Sequence, residues 1–212
     1  MLKVAIVTGG SRGIGRSCVF SLLKRGYEVG FLYQSDSEAA RSTVKEGRER
    51  FGRAPIDFRA NVAKAEEVSA CVQVMYAKFG RIDLLINNAA IHCDKLLVHL
   101  SPDEFGRVID INVKGIFQMT RFVLPIMMKQ RLGTIVNVGS IVGREGRIGQ
   151  SAYAASKAAL LGFTQAVAAE AAPFGIKINS WANRYRDDTT DDGESEASNT
   201  GMHSDCKDAT IG

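Results

Sequence analysis

The chain has 212 residues, 45% hydrophobic and 24% charged, enough for one domain with a substantial core and the mix of a globular protein. No apolar run reaches the length of a membrane span. The N-terminal MLKVAIVTGG meets a glycine pair too early for a secretory signal, so the expected compartment is the cytoplasm. The net charge of +4 divides unevenly. Residues 181–212 hold Asp187, Asp188, Asp191, Asp192, Glu194, Glu196, Asp205 and Asp208 against only Arg184, Arg186 and Lys207. The body is therefore strongly basic, which suits an anionic ligand. No basic run with interleaved aromatics points to nucleic acid. Cys18, Cys71, Cys93 and Cys206 show no CxxC spacing. They are expected as free thiols in a reduced compartment, with no metal site.

LKVAIVT, closed by Gly9 and Gly10, predicts a buried strand. A helix is expected over 13–24, stopped by Gly26, and YEVGFLY predicts a second strand. Residues 37–51 are amphipathic and predict a helix before Gly52, and IDFRA a third, weaker strand. A helix over 64–79 ends at Gly80, and IDLLIN predicts a fourth strand. Ser101-Pro-Asp-Glu has the N-cap, first-turn proline and first-turn acids of a helix start. That helix runs toward Gln130, with a kink expected near Pro125. GTIVNVGS, an Ala-rich helix over 150–171 and the strand IKINS complete the pattern. Six alternations predict an α/β fold over residues 1–180, a doubly wound parallel sheet covered by helices on both faces. Such sheets bind ligands beyond the carboxyl ends of their strands, where the polar signatures of this chain fall.

The first signature is Thr8-Gly9-Gly10-Ser11-Arg12-Gly13-Ile14-Gly15, after the first strand and at the start of the first helix. Glycines allow a tight turn and close backbone approach, and the helix presents free N–H groups and its positive dipole end to a phosphate. The second strand ends Tyr33-Gln34-Ser35 with no acid before Asp36. A site for an unphosphorylated ribose usually carries an acid there. Arg12 can grip an added phosphate, or be an ordinary solvated arginine. The first reading favours NADP(H) over NAD(H). Tyr153 and Lys157 stand four apart on one helix face. Free tyrosine titrates near about 10, and a neighbouring ammonium lowers that value toward useful acid–base range. Ser140 ends the fifth strand, where its hydroxyl can hold a substrate oxygen as charge develops. Each also has a plain structural use: Ser140 in a turn, Tyr153 as a packed aromatic, Lys157 in solvent. Asn87-Asn88-Ala89-Ala90 follows the fourth strand. Asn112 lies inside a helix, where asparagine fits poorly; taken alone it reads as a packing accident.

Together these residues resemble the short-chain dehydrogenase/reductase family of Rossmann-type enzymes, over residues 2 to about 180. SIVGREGRIGQSAYAASKAALLGFT is similar to the text of its 3-oxoacyl-ACP reductase and acetoacetyl-CoA reductase group. The resemblance implies a cytoplasmic carbonyl reductase of fatty acid biosynthesis that acts on a 3-oxoacyl thioester. Tyr153 would protonate the carbonyl oxygen, with Ser140 holding it. Lys157 would hold the nicotinamide ribose and lower the Tyr153 pKa, and Asn112 would anchor a water leading to Lys157. The implied cofactor residues are Thr8, Gly9, Ser11, Arg12, Gly13, Ile14, Gly15, Tyr33, Asn61, Val62, Asn88, Ala89 and Ala90, with Tyr153 and Lys157. A homo-oligomer through the Asn112 and Tyr153 helices is implied as well. The chain departs from the family pattern at Ala90, where Gly is usual, at Asn61, where Asp is usual, and at Arg147, where Asn is frequent. Ala169 stands where a docking arginine is frequent, which weakens an acyl carrier protein as partner. Lys129 and Arg131 remain to meet an acidic carrier, and a CoA thioester stays open.

After the sixth strand the family continues with a Pro-Gly segment, a lid, a helix and a seventh strand. The resemblance therefore implies six strands present, with the seventh strand and lid missing. Residues 181–212, rich in Asp, Thr, Ser and Gly, are expected to form a disordered acidic tail. Read one base later, residues 180–188 can encode Pro-Gly-x-Ile-Asp-Thr-Glu-Met. A slip of the reading frame near Ser180 is one expectation and an authentic divergent tail the other. Strand six is expected as a sheet edge, and turnover as weak. A catalytically impaired nucleotide-binding protein is thus the alternative to a reductase.

Overall fold

In the computed structural model, which describes residues 2–183, the apolar runs become strands and the amphipathic ones helices. The first half contains β1 (Lys3–Thr8), α1 (Gly13–Lys24), β2 (Tyr27–Tyr33), α2 (Ser37–Phe51), β3 (Ile56–Arg59), α3 (Ala65–Phe79) and β4 (Leu84–Asn87). The second contains α4 (Pro102–Ile109), α5 (Gly115–Gln130), β5 (Gly133–Ser140), α6 (Val142–Glu145), α7 (Ser151–Ala171) and β6 (Ile176–Asn183). The strand order is β3-β2-β1-β4-β5-β6, with every pairing parallel. The doubly wound α/β reading therefore holds. The order reverses between β1 and β4, which opens a crevice at the carboxyl ends of those two strands. β1 is buried on both faces, as a central parallel strand must be. One apolar cluster joins the sheet to α3 and α5, and a second joins it to α1 and α2.

Helix boundaries follow the caps. Asp36 accepts from Ala39 N–H at 2.9 Å to start α2, and Gly52 ends it in the left-handed region at φ 67°. Ser101 caps α4 as the sequence predicts, and Glu104 completes a reciprocal capping box with it.

Four expectations shift. The long helix is not continuous from Pro102 to Gln130: regular α geometry gives way to a π-helical turn, Asp110–Lys114, around Asn112, while Pro125 lies inside α5. β4 starts at Leu84 rather than Ile82, because the Gln130 side-chain amide takes the ladder's place. Its Oε1 accepts from Ile82 N–H at 2.9 Å, and its Nε2 donates to the Ile82 carbonyl at 2.8 Å. β6 reaches Asn183, with Trp181 opposite Val138. Finally, Cys18 and Cys71 are free but Cys93 is disulfide-bonded. Spacing along the chain excludes CxxC pairs yet says nothing about which cysteines the fold brings together.

Among the described residues β6 pairs only with β5, the edge position expected of it. The expectation of a disordered tail falls, from residue 184 onward, outside the described residues.

Candidate active site

The crevice between β1 and β4 is closed by polar bonds at its base. Thr8 Oγ1 accepts from the backbone N–H groups of Asn88 and Ala89, both at 2.9 Å. Asn88 Nδ2 donates to the Thr8 and Gly9 carbonyls at 3.1 and 3.3 Å. A Cβ at Gly15 would lie 2.0 Å from the Gly9 carbonyl oxygen and 2.6 Å from Asn88 Nδ2, so only glycine fits where α1 meets the turn. α1 also differs from α2 and α4 at its start. Arg12 occupies its N-cap position, no side chain caps it, and its first turn holds no acid. Its leading N–H groups and dipole are left to an anion. From here a cleft runs along the sheet edge, lined by Gly9, Ser11 and Arg12, by Tyr33 to Asp36, and by Ala60, Val62 and Ala89 to Ile91. This cradle fits the phosphates and one nucleoside of a dinucleotide.

The second group sits at the end of β5 and on α7. Tyr153 and Lys157 share a face of α7, both buried. Lys157 Nζ lies 5.5 Å from the Tyr153 ring centroid and donates to the Val138 carbonyl at 2.7 Å. Burial pulls the Lys157 ammonium down to about 8. The Tyr153 phenol moves the other way: burial raises it, the Asp94 carboxylate adds to the rise, and a hydrogen bond with the Ser140 hydroxyl opposes it. The expected lowering of Tyr153 by Lys157 is therefore corrected. Desolvation dominates the phenol, and the ammonium is directed at a backbone carbonyl. Ser140 Oγ also accepts from Val142 N–H at 3.3 Å, so the turn role and the Tyr153 contact coexist. His92 stands edge-on to Tyr153, ring centroids 6.5 Å apart, with Nδ1 3.2 Å from the Asp94 carboxylate.

Asn112 is buried, and its amide pairs with backbone as a strand would. Oδ1 accepts from Ile91 N–H and Nδ2 donates to the Ile91 carbonyl, both at 2.8 Å. Nδ2 also reaches Ser156 Oγ at 3.0 Å, whose hydroxyl donates to the Tyr153 carbonyl at 2.7 Å. The π turn thus ties the segment after β4 to α7. The asparagine that reads alone as a packing accident is a clamp between the two halves of the site.

The fold brings Gly9, Ser11, Arg12, Tyr33, Val62, Ala89 and Ala90 to one cleft. Gly13, Ile14 and Gly15 open α1 beside it. Asn61 stands apart from that lining: its Oδ1 accepts from Ala63 N–H at 2.9 Å, and it borders a neighbouring depression against α4. Lys129 and Arg131 fall at the end of α5, just before β5 begins. That is the sheet edge opposite Tyr153, so they do not border the site of their own chain.

Sequence reading missed Asn137, which is fully buried. It accepts from Asn87 Nδ2 and donates to Thr164 Oγ1, each at 2.9 Å. An asparagine in the middle of the apolar run GTIVNVGS was the available signal. Gly143 was missed too; a Cβ there would lie 2.7 Å from the Lys157 carbonyl carbon.

Comparison with known proteins gives a consistent result. The family described as short chain dehydrogenase matches residues 3–197. The 3-oxoacyl-[acyl-carrier-protein] reductase FabG of Staphylococcus aureus is 42% identical over 182 residues, covering 86% of this chain and 74% of that protein. The 3-oxoacyl-[acyl-carrier-protein] reductase of Synechocystis is 42% identical over 180 residues, covering 85% and 72%. Among solved structures, an NAD+-bound xylitol dehydrogenase superposes with a TM-score of 0.80 at 32% identity, over 84% of this chain and 68% of that one. Among the described residues no helix is long and apolar enough to cross a membrane, and no three His, Cys, Asp or Glu side chains are grouped to hold a metal.

Proposed function

We propose a specific reaction for this chain from the premise that it belongs to the short chain dehydrogenase family and is an NAD(P)-dependent oxidoreductase. The reaction is reduction of a 3-oxoacyl thioester to its 3-hydroxyacyl form, with NADPH preferred. The observation that carries it is the convergence of the Ser140 and Tyr153 hydroxyls at the end of β5, with Lys157 buried behind them. The glycine cradle opens the neighbouring crevice of the same sheet edge. The thioester class is supported by the names of the relatives, which act on acyl carrier protein substrates.

Bound NADPH supplies the hydride. Ser140 Oγ holds the substrate carbonyl oxygen, and Tyr153 Oη delivers the proton to it. A phenol raised by burial is fully protonated at neutral pH, the form a proton donor needs. Lys157, still cationic below about 8 and directed at the Val138 carbonyl, is the group that would hold the nicotinamide ribose. Asn112 acts as a positioning residue: it holds Ile91 and, through Ser156, the first turn of α7. Thr8, Gly9, Ser11, Gly13, Ile14, Gly15, Asn88, Ala89 and Ala90 form the phosphate and ribose channel. Arg12 and Tyr33 border the adenosine ribose, with Val62 toward the adenine and the neighbouring Asn61 turned away to Ala63 N–H. The absence of an acid over residues 33–35 and the presence of Arg12 support NADP(H) over NAD(H). Self-association through α4, α5 and α7 is supported by the exposed Phe105 and Phe117 on the first two.

One observation favours a second reading, a nucleotide binder without turnover: Lys157 donates to Val138 and leaves Tyr153 raised. A single experiment separates the two. The purified chain is mixed with NADPH and acetoacetyl-CoA, and binding and oxidation of NADPH are followed together. Oxidation with formation of 3-hydroxybutyryl-CoA supports the reductase; binding without oxidation supports the second reading; no binding sinks both.

A further inference from the structure

The segment after β4 sets a second ring against the proton donor. His92 stands edge-on to Tyr153, with ring centroids 6.5 Å apart and planes at 78°. The backbone fixes its place, because the Asn112 amide clamps both the N–H and the carbonyl of the preceding Ile91 at 2.8 Å. His92 Nδ1 lies 3.2 Å from Asp94 Oδ1. The same oxygen accepts from Gln150 Nε2 at 3.2 Å, and Lys95 N–H donates to the Gly149 carbonyl at 2.8 Å. Gln150 is the N-cap residue of α7. Residues 92–95 are thus bonded to the start of the helix that carries Tyr153.

The charges around this corner differ in what they can do. The Asp94 carboxylate opposes loss of the Tyr153 proton. Lys157 is directed at the Val138 carbonyl. Lys95 is paired with Glu104 of α4 at 2.5 Å. Arg144, Glu145 and Arg147, between β5 and α7, are exposed. His92 stands beside Asp94, and histidine is the side chain that gains a charge between about pH 5 and 8.

We infer that His92 is a positioning residue for Tyr153: its imidazole, held by Asp94, braces the tyrosine ring and, once protonated, offsets the carboxylate that acts on the phenol. Proton donation leaves a phenolate in a buried site. A nearby carboxylate destabilises that anion and an imidazolium stabilises it. With His92 neutral the carboxylate acts alone; with His92 protonated the two form a neutral pair. The effect on rate rests on the reductase reading, whereas the effect on the phenol does not.

Two measurements on the full chain test this. The first follows phenol ionisation by ultraviolet absorbance at alkaline pH, with the matching Tyr153→Phe protein subtracted to isolate Tyr153. Asp94→Asn keeps an acceptor for Gln150 but loses the charge, so the Tyr153 midpoint should fall by about half a pH unit. His92→Arg, a permanent cation, should also lower it. His92→Gln should leave it in place, because histidine is already neutral in that range. The second follows single-turnover NADPH oxidation with acetoacetyl-CoA. Wild type should slow by about threefold as pH rises through the histidine range, and His92→Gln should lack that step. Lys157, near 8, adds its own step to both profiles, so their difference reads His92. Asp94→Asn should outpace wild type on the alkaline side, where a purely structural role predicts a slower enzyme. An unmoved Tyr153 midpoint in Asp94→Asn or His92→Arg, or a step retained in His92→Gln, overturns the inference. If no protein oxidises NADPH, the reductase reading fails and the phenol midpoints alone decide. Urea midpoints report that each variant folds.

Discussion

At the glycine turn, closeness comes from side chains that are absent; at the end of β5 it comes from polar side chains that are buried. A Cβ on Gly15 would lie 2.0 Å from the Gly9 carbonyl oxygen. Asn112, Asn137, Ser156 and Lys157 are all buried, and each makes at least one hydrogen bond within the protein. The first region is intolerant of added volume, and Arg12 is the one charged side chain within it. The second tolerates modest changes of shape but not the loss of a partner, because an unpaired buried polar group carries its full desolvation penalty. One site therefore combines a steric mould for a ligand with a preset electrostatic field for chemistry.

The largest expected effect breaks the second region alone. Tyr153→Phe removes the proton donor and should lower turnover by about 10² to 10⁴-fold, with NADPH affinity little changed. A parallel loss of NADPH affinity would mean that the two regions are not separable. Gly15→Ala makes the opposite cut. Forcing a methyl against backbone costs on the order of 3 kcal/mol, so NADPH binding should be lost and thermal unfolding should come earlier, as titration and melting curves would report.

The buried lysine sharpens the comparison through pH. Lys157 is lowered from 10.5 to about 8. Between those values the unfolded chain binds more protons than the folded one, so stability rises with pH. Below about 8 the cost of burying the charge is fully present. From pH 8 to 10.5 wild type should gain up to about 3 kcal/mol relative to Lys157→Met, measured as urea midpoints. Equal pH slopes in the two proteins would show that the lysine is solvated. Glycine substitutions in the first region should leave this slope unaltered.

Thr164→Val, which strips Asn137 Nδ2 of its acceptor, should cost about 1–3 kcal/mol in urea unfolding with no effect on cofactor preference. Ser101→Ala, outside both regions, removes half of a capping box and should cost about 1 kcal/mol. It serves as the baseline against which the others are judged.

Local rules were enough for the strands, the helix ends and the glycine turn. Apolar runs, the cap at Ser101, and glycines at 52 and 80 act over a few residues, and the elements appear where those signals predict. The alternation of strands and helices was likewise enough for the parallel sheet, since parallel neighbours need a crossover. The site residues just after β1, β4 and β5 were legible because that edge is where such sheets bind ligands. The polar interior was not legible. Asn112 looked misplaced in a helix until the π turn carried it to Ile91, and Asn137 was hidden in an apolar strand. Neither partner is near in sequence: Ile91 is 21 residues from Asn112, and Thr164 is 27 from Asn137. The sign of the Tyr153 shift was beyond reach for the same reason. Proximity on one helix face suggested an ammonium that would lower it, whereas desolvation depends on everything packed around the phenol. Periodicity and turn chemistry are local and can be read along the chain. Burial and long-range hydrogen bonds arise only when distant segments meet, and those were settled by the tertiary structure.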